Sequence, residues 1–539
     1  LTPEQKAAAD TICSAAKTGG GTFLLHGVTG SGKTEVFMRV IADAVERGKT
    51  AMLLVPEISL TPQMVSRFVS RFGARIAILH SGLSLGERYD QWGRIMRGEA
   101  DIVIGARSAV FAPIENIGAV ILDEEHSETY KSEMSPRYHA REAALFRAAQ
   151  WGAAAVLASA TPSAESYHKA LCGEYKLLEM KKRYNENRMP EIEIVDMRNE
   201  LEGGNKNMFS RRLYEAVREN IDRGCQTILL MNRRGYSTFV SCRKCGYVPM
   251  CPNCNISLTY HSYGNILKCH YCGYTHSNYE KCPSCGSKYI RYFGGGTQRV
   301  ENEIKRIFPD ATSIRLDADV TTRKNSHRRI LEKFAEENID ILIGTQMVAK
   351  GLDFPNVTLV GVISADTMLH INDFRSGERT FALLEQVSGR AGRGEKQGRA
   401  IIQTYNPDNF AIELVKTHDY RTFYRKTAEE RRLMWYPPFC EMVCIMITDP
   451  DRNTVMRAAH LYRRAFGDIN EIPQKLAVLG PIPSGISKIK NKYRWQILVK
   501  CENADAINER LISAAETVKR EKEFAETVVS IDKGPVTIY

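Results

Sequence analysis

The sequence predicts an α/β protein of two tandem doubly wound lobes, with a cysteine-rich double metal-binding insertion in the second lobe and a small α+β domain at the C-terminal end. Three observations predict it. Short apolar runs alternate with longer helical stretches in two successive blocks. A glycine-rich loop joins the first of those runs to a helix, and four Cys-x-x-Cys knuckles interrupt the second block. At 539 residues the chain exceeds what one hydrophobic core supports, so about three or four domains are expected.

The first lobe is placed at 1–180. TFLLHG, AMLLVP, IAILH, DIVIGA, AVILDE and AAVLASAT are near-continuous apolar runs, as buried parallel strands require. The second lobe, 181–410, repeats the pattern with TILLMN, ATSIRLDAD, IDILIGTQ, TLVGVISAD and RAIIQTYN. Two such layers in succession predict a shared cleft as the ligand site. Glu200–Asn207 reads as a mobile surface loop. The last region, 411–539, is expected to be a DNA-binding domain: it opens with the basic helix-like YRTFYRKTAEERRLMW and continues with EMVCIMIT and WQILVKCE as strands.

The insertion, 240–288, is poor in aliphatic residues, so bound metal must replace the missing core. Its knuckles are Cys242/Cys245, Cys251/Cys254, Cys269/Cys272 and Cys282/Cys285. Eight thiolates fill two tetrahedral zinc sites and leave no open catalytic position. Pairing the first knuckle with the second leaves only five residues between them, whereas the inner pair is separated by 14. Spacing therefore favours nested sites. Cys251/Cys254/Cys269/Cys272 form the inner one and Cys242/Cys245/Cys282/Cys285 the outer.

GVTGSGKT (27–34) has a strand before it and a helix after it, the context of a phosphate-binding loop. Gly27, Gly30 and Gly32 let backbone amides approach phosphate, Lys33 reaches the β- and γ-phosphates of ATP, and Thr34 ligates Mg²⁺. ILDEEH (121–126) ends an apolar strand in acids. Asp123 is expected to hold Mg²⁺ through water and Glu124 to polarise the attacking water.

The net charge is +11, with Lys and Arg clustered in short runs, which points to nucleic acid. No apolar run approaches the roughly 20 residues that span a bilayer, so no membrane partner is expected and a cytoplasmic protein is. A start at Leu1 with a motif almost at once suggests a fragment whose N-terminal region is absent.

LTPEQ, GVTGSGKT, LLVPEISLTPQ, IGARSAVF, DEEH, SATPS, LLMNRRGY, ILIGTQMVAKGLDFPNV and EQVSGRAGRG occur in the order of superfamily 2 helicase motifs. With the four knuckles, the chain resembles the PriA family of bacterial primosome-assembly helicases (primosomal protein N′), without the family's N-terminal DNA-binding region. The resemblance implies RecA-like lobes and an ATP-dependent 3′→5′ DNA helicase. Such an enzyme acts at stalled or abandoned replication forks and initiates primosome assembly, in the nucleoid-associated cytoplasm. It implies as partners forked and single-stranded DNA, primosome proteins, single-strand-binding protein and loading factors of the replicative helicase.

The same resemblance assigns adenine to Gln5 and the γ-phosphate to Gln386, Arg390 and Arg393. Gly351 and Asp353 of KGLDF fall on the nucleotide, and Asp353, Ser159 and Thr161 would couple its state to lobe closure. DNA grips fall on Pro56, Thr61, Gln63 and Arg107 in the first lobe and on Asn232, Arg234, Thr345 and Gln346 in the second. The segment after the acids, with Tyr130, Arg137, Tyr138, His139 and Arg141, resembles an aromatic-rich loop that links DNA contact to hydrolysis. Aromatic rings with cations suit single strands. Two alternatives stay open: a translocase or RNA helicase of the same superfamily, and a zinc-dependent platform that recruits partners with hydrolysis secondary.

Overall fold

The computed structural model describes residues 1–57, 62–184, 189–231, 239–292, 297–317, 326–349, 354–392, 396–468 and 471–538. All eleven apolar runs form strands of two parallel sheets, most of them buried and the edge strand Ser313–Leu316 only in part. The first sheet holds β1 (Gly21–Gly27), β2 (Thr50–Leu54), β3 (Ile76–Leu79), β4 (Ile102–Gly105), β5 (Ile117–Leu122), β6 (Ala154–Ser159) and β7 (Lys176–Met180), in the order β3-β4-β2-β5-β6-β1-β7. Helices cover both faces, and each face has its own apolar cluster. Continuous burial of β4, β5 and β6 explains why these runs lack polar alternation.

The second lobe begins with β8 (Glu191–Asp196) and β9 (Gln226–Leu230). Between β8 and the following helix the expected loop is partly ordered: Met197–Glu202 is a short helix capped by Asp196. Glu200 then accepts from Asn205 Nδ2 and the Arg211 amide, so 200–207 is pinned rather than loose. The cysteine insertion follows, with β10 (Val240–Cys242) paired to β14 (Ile290–Tyr292) at its base. Inside it β11 (Thr259–His261), β12 (Ile266–Lys268) and β13 (Thr275–Ser277) make an antiparallel meander. The sheet then resumes with β15 (Ser313–Leu316), β16 (Ile341–Gly344), β17 (Val357–Val362) and β18 (Arg399–Thr404), in the order β15-β16-β9-β17-β18-β8. Because β10 pairs with β14, the insertion leaves and returns at one point, and the sheet around it stays continuous.

The C-terminal sheet is antiparallel, in the order β20 (Leu476–Ile489), β21 (Lys492–Cys501), β19 (Glu441–Asp449), β22 (Val528–Lys533). The two-residue period of β19 serves two cores. Val443, Ile445 and Ile447 pack against the helices Arg452–Ala465 and Asn508–Arg520. Met442, Cys444 and Met446 share a cluster with Cys251, Cys254, Leu267 and Tyr271 of the insertion.

The basic helix Tyr420–Leu433 corrects the reading of 411–539 as opening on a nucleic-acid surface. Tyr420, Phe423, Tyr424 and Ala428 are buried in the core shared by the two lobes. Arg431, 2% exposed, donates to Glu165 of the first lobe at 3.2 Å and to Glu378 of the second. The Arg431 charge is thus spent inside the protein, while Arg421, Arg425 and Arg432 stay on the surface. Among the described residues no helix is long and apolar enough to cross a membrane.

Candidate functional site

The glycine-rich loop leaves β1 and enters the helix Lys33–Glu46, whose first amides face the loop. Gly30 and Gly32 sit at φ near +80°, a region that side chains disfavour. Gly32 is further constrained, since a Cβ there would lie 2.3 Å from Gln5 Nε2. The Lys33 ammonium folds back on the Gly27 carbonyl at 2.7 Å. Thr34 is the next helical residue and is half-buried.

Gln5 is 3% exposed and heavily engaged. Its Oε1 accepts from the Thr2 amide at 2.8 Å, in a capping box, and its Nε2 donates to the Ser31 carbonyl at 2.9 Å. The residue thus ties the first helix to the loop and presents little of its amide to the outside.

Asp123 follows β5, and its amide donates to Leu54 O at 2.9 Å. The chain then turns sharply through Glu124 at φ +46°. His126 Nδ1 lies 2.8 Å from Ser159 Oγ and 3.5 Å from Glu124, and Ser159 Oγ accepts from the Thr161 amide at 3.0 Å. The acidic turn and the SATPS turn are therefore joined by side chains. Sequence reasoning missed the third acid, Glu125. It is 1% exposed and accepts from the Ser163 amide at 2.6 Å, from Ser166 Oγ at 2.8 Å and from Arg141 at 3.1 Å. Burial is the largest influence on the Arg141 charge and opposes it, but Glu125, Glu142 and Glu165 together outweigh it and leave the pKa raised. The only signal for Glu125 was its place inside DEEH.

From the second lobe, Gly389 reaches the glycine-rich loop. A Cβ on it would sit 2.7 Å from Thr29 Cγ2, so the turn carrying Arg390 packs against the loop only because residue 389 is glycine. Arg390 is half-buried there. Gln386, Thr345 and Gln346 line a cavity of about 1360 Å³ with Pro56, His126, Lys131 and Arg379. The lobes, the insertion and the C-terminal sheet all contribute to its walls.

The segment after the acids is not laid open for stacking. Tyr130 is fully buried, and its hydroxyl donates to Leu54 O at 3.0 Å and Asp123 O at 2.7 Å. That corrects its place among DNA contacts: the ring is a strut under the acidic turn. Arg107 donates to the Thr129 and Lys131 carbonyls. Arg137 pairs with Asp532 at 3.3 Å, and Lys131 with the same carboxylate at 2.8 Å. Tyr138 is half-buried, edge-on to Phe111 at 4.7 Å. His139 caps the next helix by accepting from the Arg141 amide, and burial lowers its pKa to about 2, which keeps that nitrogen an acceptor. Gln63 is exposed at the start of the helix Pro62–Phe72. Thr61, Asn232, Arg234, Gly351, Asp353 and Arg393 lie outside the described residues.

The eight knuckle sulfurs gather in two groups, Cys242/Cys245/Cys282/Cys285 and Cys251/Cys254/Cys269/Cys272, each with its sulfurs within 4.8 Å of one another. This is the nested grouping that spacing favours. Four converging thiols per group fit tetrahedral zinc. The environments differ. The inner group is almost wholly buried, while Cys285 of the outer one is exposed.

Comparison with known proteins agrees with this architecture. Residues 2–170 match the model of the DEAD/DEAH box helicase and 290–395 that of the helicase conserved C-terminal domain. Residues 251–276 match the PriA DNA helicase Cys-rich region and 432–536 the primosomal protein N C-terminal domain. The replication restart protein PriA of Bacillus subtilis is 51% identical over 99% of this chain, and that of Synechocystis 45% identical over 93%. The chain spans 66% and 61% of the length of those two relatives. The PriA of Treponema pallidum is 40% identical over 94% of this chain and 76% of its own length. Identity on that scale, over sheets, cysteine groups and C-terminal domain together, means that this chain belongs to the PriA family of replication restart proteins.

Proposed function

We propose that this chain is the motor of an ATP-dependent 3′→5′ DNA helicase, which opens stalled or abandoned forks and starts primosome assembly. One observation carries the reading. The turn that carries Arg390 in the second lobe packs through Gly389 on Thr29 of the lysine-bearing loop, and the acidic turn leaves the same edge of the first sheet, since β1, β6 and β5 run parallel. ATP bound there is held between lobes, so hydrolysis changes their separation.

In this reading Lys33 and the loop amides of Gly27, Gly30 and Gly32 cradle the phosphates. Thr34 and Asp123 hold Mg²⁺, and Glu124 orients water. Arg390, with Arg393, Gln386, Gly351 and Asp353, answers from the second lobe and neutralises developing charge. Gln5 fixes the loop and reads part of the base. Single-stranded DNA runs past Gln63, Arg107 and Tyr138 on one lobe and Thr345 and Gln346 on the other, joined by Thr61, Asn232 and Arg234. Arg137 joins them when its pair with Asp532 opens. The working division is 1–180 and 181–410 for the lobes, 240–288 for the insertion and 411–539 for the rest, with the helix Tyr420–Leu433 a strut between lobes. Each cysteine group holds one structural zinc, supplying the rigidity that the insertion's sparse apolar content lacks. Primosome proteins, single-strand-binding protein and loading factors remain the partners, in the nucleoid-associated cytoplasm.

The test is ATP hydrolysis measured with single-stranded, forked and duplex DNA, alongside strand displacement on forks carrying either a 3′ or a 5′ arm. DNA-stimulated turnover that Lys33→Ala and Asp123→Asn abolish, with displacement of the fork alone, supports the reading. Equal unwinding of RNA duplexes, or turnover that survives Lys33→Ala, overturns it.

A further inference from the structure

Gln5 leaves the base poorly provided for, because both ends of its amide are already engaged and the side chain is 3% exposed. Beside Gly32, which Gln5 also abuts, a different group is poised. The strand β7 ends at Met180, whose carbonyl accepts from the Val28 amide at 3.0 Å. The chain continues as Lys181-Lys182-Arg183-Tyr184 and folds over the glycine-rich loop.

Three contacts fix this turn. The Lys181 and Lys182 amides donate to Glu4 Oε2 at 3.0 and 3.2 Å, and the Tyr184 amide donates to the Gly30 carbonyl at 3.1 Å. The turn is therefore clamped both to the helix that carries Gln5 and to the loop itself. A Cβ on Gly30 would meet the Arg183 side chain at 3.6 Å, and a Cβ on Gly32 would lie 3.7 Å from Tyr184 Cβ. Tyr184 nonetheless remains 65% exposed. A large ring, held by its backbone beside the phosphate loop and left without apolar cover, is spatially pre-set to receive a flat ligand group.

We propose that Tyr184 is the base-stacking residue of the nucleotide site, with the purine lying on its ring while Lys33 and the loop amides hold the phosphates. The proposal rests on the nucleotide-site reading given above. It adds that affinity for the base comes from a face contact after β7 rather than from the Gln5 amide alone. Stacking of a base on an aromatic ring is worth about 1–3 kcal/mol and is tolerant of base identity. The ring should thus favour ATP and GTP alike and do nothing for a ligand without a base.

Calorimetric titration of the full chain with ATP, GTP and inorganic tripolyphosphate, each with Mg²⁺, separates the possibilities. Tyr184→Ala is expected to weaken ATP and GTP by about tenfold each and to leave tripolyphosphate unchanged. KM for ATP should rise with kcat held, and Tyr184→Phe should restore both. Unchanged ATP affinity in Tyr184→Ala overturns the proposal, and so does an equal loss for tripolyphosphate, which would make the turn a scaffold for the loop. Lys33→Ala supplies the control. If it binds ATP and tripolyphosphate as the unaltered chain does, the underlying nucleotide-site reading fails, a result distinct from either outcome at Tyr184.

Discussion

The helix Tyr420–Leu433 and the hairpin tip 488–492 with Tyr493 behind it carry the same mixture of cations and aromatics, and the fold puts them in opposite settings. On the helix, Arg421 donates to Glu179 at 2.7 Å, Arg431 is buried against Glu165 and Glu378, and the rings lie in the lobes' core. At the hairpin, Lys488, Lys490 and Lys492 are all exposed. Lys490 and Asn491 take φ of +48° and +61°, as a two-residue turn between twisted strands requires. Lys488 Nζ lies 4.8 Å over the Tyr493 ring. Composition alone does not separate a buried strut from an exposed surface; the position of the acids does. Carboxylates from both lobes meet the helix, and the tip of the hairpin meets water.

Metal removal should split the two segments most widely. The sheet bearing the hairpin rests its Met442, Cys444, Met446 and Leu498 on the inner cysteine group. Tyr436 donates to Cys254 O at 3.0 Å, and Gln496 Nε2 donates to His270 O at 2.6 Å. Zinc contributes on the order of 10 kcal/mol to small thiolate folds, more than this interface can replace. Chelation, or Cys254→Ser, should strip hydrogen-exchange protection from 442–446 and 496–498 while 420–431 stays protected. Cys285→Ser at the half-open outer group should perturb mainly β10 and β14. Equal loss across both segments would show that the helix too depends on the insertion.

Arg431→Ala attacks the other member of the pair. Removing one partner of a buried ionic cluster leaves uncompensated charge and costs about 3–5 kcal/mol, here at the junction of Glu165 and Glu378. The expected outcome is a lower Tm and weakened lobe association by small-angle scattering, with DNA affinity of the hairpin unchanged. Adding Glu378→Gln to Arg431→Met should recover much of the loss. A surface arginine would give neither effect.

What could be read from the sequence follows the same division. Central parallel strands announce themselves because both faces are buried, and β4, β5 and β6 are apolar throughout. The edge strands β7 (KLLEM) and β8 (EIEIVD) are half-exposed and polar in part, so their runs were too weak to stand out. The nested cysteine groups were legible because spacing is local. Tyr130 was not, because the acceptors that bury its hydroxyl are backbone carbonyls of Leu54 and Asp123, groups every residue possesses. Nor was the burial of the helix, whose partners Glu165, Glu179 and Glu378 are distant in the chain.

Acid should loosen the helix before the hairpin. His26 packs edge-on to Tyr167 and Tyr420, its Nε2 bonds Ala160 O at 3.2 Å, and its buried Nδ1 has no hydrogen-bond partner among the described residues. Burial lowers its pKa to about 4; Glu179 pulls upward, and Lys33 and Arg421 push downward. Between that value and the unfolded value near 6.5 the unfolded chain binds the extra proton, so this contribution is complete above about pH 6.5 and is lost as pH falls toward 4. At pH 5 the cost is about 2 kcal/mol. Thermal unfolding followed from pH 7 to pH 5 should show it, and His26→Gln should flatten that part of the profile. A variant profile parallel to the unaltered one would remove His26 from the account.

The smallest expected effect lies at the hairpin and concerns binding rather than stability. If Lys488, Lys490 and Lys492 contact phosphates, each neutralised charge contributes about 0.7 to the slope of log K against log salt on a single strand. Replacing all three with Ala should therefore make that slope shallower by roughly 2, with weaker binding at low salt and little difference at high salt. Tm should move by no more than surface substitutions usually do, since the side chains are exposed and the turn is set by backbone at 490 and 491. Single-stranded DNA titrated into the full chain across a salt series makes the measurement, with thermal unfolding alongside. An unchanged slope would leave the hairpin as a long, charged edge with no nucleic-acid role, and the comparison would then lie between a buried strut and an inert surface. A shallower slope accompanied by a large fall in Tm would instead show that the lysines hold the strand pair together, as Arg431 holds the lobes.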